Sequence, residues 1–138
     1  MSVPSTSSTP LRLMPGEDLR DALQAAVRAK GQQAAFVVAG IGSLIDAQLR
    51  LAAADRATVV PGPSEILSLS GSVGADYTHL HMSLSDAQGR VWGGHVLPGC
   101  VVRTAAEVLI AWLPDWAFSR EPDPATGYAE LVARRRDL

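Results

Sequence analysis

At 138 residues, with 47% hydrophobic and 19% charged side chains, the chain suits one domain that buries a real core. A formal charge of −2 lacks the basic excess of a protein that grips nucleic acid through its phosphates, and the one local run, Arg134-Arg135-Arg136, reads as a solvated end. The single cysteine, Cys100, excludes an internal disulfide and a zinc ribbon built on paired cysteines.

Residues 1–9 are rich in Ser, Thr and Pro and read as a disordered tail with nothing to bury. They have neither the basic nor the apolar region of a signal peptide. Residues 10–138 read as one domain. Leu11 to Leu13 forms a short strand closed by Pro15-Gly16. Leu19, Ala22, Leu23, Ala26 and Val27 then recur at the three-and-four spacing of a helix stripe. Glu17 and Asp18 lie at the positive end of its dipole, and Lys30 and Gly31 at its close. From there the pattern turns to strands. Ala34–Ala39 is a continuous apolar run suited to a strand buried on both faces. Gly40-Ile41-Gly42-Ser43 reads as a turn, Ile45–Ala52 as a half-buried strand, and Pro61-Gly62-Pro63 as a break. Ser64–Val73 alternates again. Thr78–Leu84 and Arg90–Leu97 make a hairpin around Asp86-Ala87-Gln88-Gly89. Val101–Leu113 fits either a long strand or a helix, and Tyr128–Val132 is a short amphipathic piece. One helix among many strands predicts an α+β domain, mostly antiparallel. The longest apolar stretch, Ala34 to Ile45, falls short of the ~20 residues of a membrane span, so no membrane is expected and the cytoplasm is the default. The apolar lean of the composition suggests surface covered by other subunits.

Every histidine of the chain falls in the predicted hairpin: His79, His81 and His95. His79 and His81 are two apart on a strand, so both side chains leave one face, roughly 6–7 Å apart. If Asp86 pairs with Gly89 across a two-residue turn, His95 lands opposite Leu80, on the wrong face. An extra turn residue, or a bulge at Gly93-Gly94, brings it back. Three neutral imidazoles with an open fourth position suit zinc as in catalytic sites. The plainer alternative is a pair of half-exposed strand residues. Glu65 and Arg103 are charges within apolar strands: either salt-bridged or exposed, or lining the histidine site as a base and an anchor for a small anionic ligand. Cys100 reads as a small buried hydrophobe, Trp92, Trp112 and Trp116 as core or interface. Ser70 and Ser72 lack the elbow of a hydrolase nucleophile.

The order Leu13-Met14-Pro15-Gly16-Glu17-Asp18, Gly40-Ile41-Gly42-Ser43-Leu44, Glu65 to Gly71, His79-Leu80-His81, Gly93-Gly94-His95 and Gly99-Cys100 through Arg103-Thr104-Ala105-Ala106-Glu107 resembles the plant and prokaryote conserved (PPC) domain. The likeness runs from Leu11 to Val132. It implies an antiparallel α+β fold and a homotrimer, with a DNA-binding or transcription-regulatory role, a purely structural trimer, or an undefined metal-dependent activity as the functions open to it. In plants the domain follows an Arg-Gly-Arg segment that enters the minor groove; this sequence holds no Arg-Gly-Arg, so direct DNA binding does not follow from the resemblance. The fold is also similar to acetolactate decarboxylase, which holds zinc with three histidines; only His79, His81 and His95 match that feature.

Overall fold

The computed structural model describes residues 7–137. Eight strands and one helix follow in the order β1 (Ser7–Leu13), α1 (Leu19–Ala29), β2 (Ala34–Arg50), β3 (Ala57–Gly74), β4 (Thr78–Asp86), β5 (Val91–Val96), β6 (Val101–Trp112), β7 (Trp116–Asp123) and β8 (Tyr128–Arg135). The α+β expectation holds. Six strands form one antiparallel sheet in the order β1-β6-β2-β3-β4-β5, and β5 returns to pair with the end of β2. β2, β3, β4 and β5 therefore close on themselves, while β7 and β8 form a separate hairpin.

α1 starts where Asp18 caps it by accepting from the Asp21 N–H (3.1 Å), which satisfies one of the orphan donors of the first turn. The other Asp18 oxygen accepts from the Gly99 N–H at 2.7 Å, so one carboxylate ties the helix start to the entry of β6. Leu19, Leu23 and Val27 are fully buried. They pack with Leu44, Leu49, Leu69, Leu80, Leu84, Val96 and Ile110 in one core.

Four local expectations are corrected. β1 begins by Ser7 and pairs Ser7 to Trp112, so residues 7–9 of the expected tail are strand; the rest of that tail, 1–6, lies outside the described residues. Gly40 to Ser43 is no turn but the middle of β2. Glycine is needed at 42 because φ is +150° and a Cβ there would collide with the Ala105 carbonyl of β6. Pro61-Gly62-Pro63 lies inside β3. The register shifts there, between the Ile45–Pro63 and Ala47–Val60 pairs, so that β3 carries an extra residue; opposite it Asp46, at φ +49°, accepts from the Gly62 N–H at 2.7 Å. The bulge absorbs what proline takes from the ladder. Finally, Ala34–Ala39 is buried on one face only: Val37 is 1% exposed but Phe36 is 40% and Val38 55%. The C-terminal arginines stay largely exposed, as expected of a solvated end, and make surface contacts. Arg134 pairs with Glu121, Arg135 lies over the Trp116 ring, and Arg136 donates to the Pro114 carbonyl.

Candidate metal centre

The hairpin of β4 and β5 decides where the histidines point. The Asp86 N–H donates to the Arg90 carbonyl (2.9 Å) and the Gly89 N–H to the Asp86 carbonyl (3.0 Å), leaving a three-residue loop, Ala87-Gln88-Gly89. Gly89 takes the left-handed conformation, φ +80°, that such a loop requires at its end. Asp86 holds the turn closed. One of its oxygens accepts from the N–H groups of Gln88 and Arg90, the other from Arg90 Nε and Trp92 Nε1. These bonds, Trp92 first, hold its carboxyl down at about 2. With this odd-length loop His81 pairs with His95. The condition set by the sequence is met in the turn, not at Gly93-Gly94, which pair in unbroken register with Ser83 and Met82.

Neighbouring pairings extend the match. Ser70 of β3 lies opposite His81, and Arg50, the last residue of β2, lies opposite His95. Directly paired residues share a face of the sheet. Ser70, His81, His95 and Arg50 thus form one cross-strand row over four strands, on the outer face, while Leu80, Met82, Val96 and Leu49 point into the core. His79 sits two residues along β4 on the same face, opposite Ser72. The three ring centroids are 5.0, 5.2 and 5.8 Å apart, and one ligand nitrogen from each histidine lies within 4.8 Å of the others. A tetrahedral ion bound at ~2.1 Å needs these nitrogens somewhat closer, an adjustment within reach of side-chain rotation because His81 is exposed and the other two are half-buried. Burial first, then the Arg50 guanidinium, pushes His95 down to about 4. Burial and the Arg120 guanidinium lower His79 as well. Both rings are therefore neutral near pH 7, with a lone pair free to bind metal. The donor set fits a borderline ion such as zinc, and this three-histidine group could hold one.

The hollow beside the triad has a volume of about 410 Å³ and is lined by Arg50, Leu51, Ala52, Ala53, Gly93 and Gly94 together with the three histidines. A smaller hollow on the other side joins His79 and His81 to Ser70, Ser72 and Phe36. Glu65 and Arg103 line neither. They border a separate hollow with Pro63, Ser64, Ser85 and Asp86, because Glu65 pairs with Ser43 and Ser85, five residues along β3 from the row. The charges that do surround the imidazoles are Arg50, Arg20 and Arg120, with Glu130 near His79. Only Arg50 lay within reach of a sequence reading, as the polar end of an alternating strand; its partner His95 is set by a pairing between strands 45 residues apart. Cys100 is fully buried, and burial pushes its thiol up, in keeping with a small hydrophobe.

A family model of the Plants and Prokaryotes Conserved (PCC) domain matches residues 2–114. A bifunctional protein GlmU from Synechococcus sp. (strain JA-3-3Ab) is 50% identical over 122 residues, 88% of this chain; the chain spans about a fifth of that relative's length. A hypothetical protein from Salmonella cholerae-suis superposes with a TM-score of 0.91 at 38% identity, covering 98% of both chains. A metal-containing protein from Archaeoglobus fulgidus superposes with a TM-score of 0.80 at 29% identity, covering 96% of this chain and 99% of its own.

Proposed function

Because the chain belongs to the Plants and Prokaryotes Conserved domain family, we propose that it is a metal-binding member of that family, with His79, His81 and His95 as ligands and a homotrimer as its working assembly. The observation that carries this reading is the convergence of three imidazole nitrogens within 4.8 Å, on the same face of two paired strands. The metal-containing relative from Archaeoglobus supports it. Zinc held there supplies Lewis acidity and an open coordination position. The protein's own part is to keep His79 and His95 neutral and to fix His81 and His95 in cross-strand register. The trimer is supported by Phe36, Val38, Ile41, Leu67 and Leu109, all at least 36% exposed on the outer face of β2, β3 and β6, an apolar surface that assembly would cover.

Elemental analysis of protein purified without a polyhistidine tag tests the metal. About one zinc per chain is expected after reconstitution, and His81→Ala or His95→Ala should each abolish it, since a two-histidine remnant loses the chelate. Less than about half a metal per chain in the unsubstituted protein, unchanged by added zinc, would refute the reading.

A further inference from the structure

The row on the outer face does not end at the metal ligands: the fourth strand adds Arg50, directly opposite His95. We propose that Arg50 anchors the carboxylate of a small organic acid whose remaining oxygen reaches the metal held by the three histidines, an inference that rests on the metal reading above.

Charge is the first ground. Among the described residues no Asp or Glu lines the 410 Å³ hollow shared by Arg50 and the triad, nor the hollow beside His79 and His81; Glu130, near His79, is paired with Arg120. A divalent ion on three imidazoles, beside a guanidinium and without a lining carboxylate, leaves the site strongly positive. Its complement is an anion, and without that anion the positive charges repel one another. Size is the second ground. A hollow at the small end of the usual ligand range takes a metabolite of few atoms.

Donor count decides the class of anion. Arg20 spends Nη1 on the Val96 carbonyl at 2.9 Å. Arg120 spends Nη2 on the Ala129 carbonyl and faces Glu130. Among the described residues no hydrogen bond or ion pair occupies Arg50. A single free guanidinium matches the two coplanar oxygens of one carboxylate, whereas a phosphate dianion calls for more donors than this hollow presents. The walls contributed by Leu51, Ala52 and Ala53 suit a short apolar substituent. Gly94 keeps the walls close: a Cβ there would stand 2.7 Å from the Arg50 carbonyl oxygen, so its absence lets β5 and the end of β2 pack tightly enough to set Arg50 beside His95.

Cobalt-substituted protein provides the test, because its visible absorption reports on the ligands around the ion. Cobalt content is measured first, then pyruvate and inorganic phosphate are titrated in separate arms. Saturable spectral change with pyruvate at lower concentration than with phosphate is expected. Arg50→Gln should leave cobalt content unchanged and raise the pyruvate Kd by about ten- to a hundredfold, and Arg50→Lys should recover part of the loss. Pyruvate binding that is indifferent to Arg50→Gln, or phosphate binding more tightly than pyruvate, overturns the proposal while the metal reading stands. Failure to take up cobalt sinks both.

Discussion

Two residues carry most of the local chemistry of the hairpin. His95 can serve the three-histidine group because it is turned toward His79 and His81 and its pKa is lowered; Asp86 secures the turn by accepting four hydrogen bonds. The pH dependence of the Asp86 contribution follows from its carboxyl being held at about 2 in the folded state, below its ordinary value near 3.9. A depressed acid stabilises the fold above its unfolded pKa and loses that contribution as pH falls through the folded one. Asp86→Asn should therefore lower the urea midpoint at pH 7, and the gap from the unsubstituted protein should close between about pH 4 and pH 2. A gap that persisted undiminished at pH 2 would show that the charge is not what holds the turn.

Among the elements, β5 depends most on its neighbours. It is six residues long and lies between β4 and the end of β2, with two adjacent glycines that differ in role. At Gly93 a Cβ would meet only the Met82 carbonyl at 3.6 Å, an ordinary contact, whereas at Gly94 it would press on Arg50 at 2.7 Å. Gly94→Ala should cost about 1–3 kcal/mol, the usual range for overpacking, and Gly93→Ala clearly less, as measured by urea unfolding. Equal losses would mean that glycine serves β5 through backbone freedom and not through close approach. The same comparison bears on the ligand site, since pushing β5 from β2 parts His95 from Arg50 while leaving the β4–β5 register intact.

For the whole molecule, the apolar outer face explains the hydrophobic lean of the composition. Val38 and Ile41 are 55% and 54% exposed on strands whose other face builds the core. Val38→Glu combined with Ile41→Glu should convert the assembly, expected by light scattering at three times the 14.5 kDa chain, into monomer, because charges cannot be buried unpaired at an interface. Zinc content should be retained if the triad is complete within one chain. A monomer at low micromolar concentration before any substitution would remove the trimer. No helix among the described residues is long and apolar enough to cross a membrane.

The one helix, the hairpin and the gathering of three histidines on it were all legible in the sequence, because each rests on local periodicity, capping or spacing. Leu19, Leu23 and Val27 repeat at helical intervals whatever surrounds them, and His79 and His81 share a face in any strand. The family motifs added the order of the parts. What local pattern could not fix was anything depending on partners distant along the chain. Gly40 to Ser43 and Pro61 to Pro63 carry turn chemistry, yet both lie within long strands, since a bulge of β3 opposite Asp46 and the close approach of β6 at Gly42 use the same residues for bending within a ladder. Glu65 and Arg103 were separated from the histidines by register, and Arg50 was brought to them by it. Sequence chose the three histidines by kind and spacing; the closure of β5 onto β2, a pairing enforced by the shared core beneath it, decided which charge stands beside them.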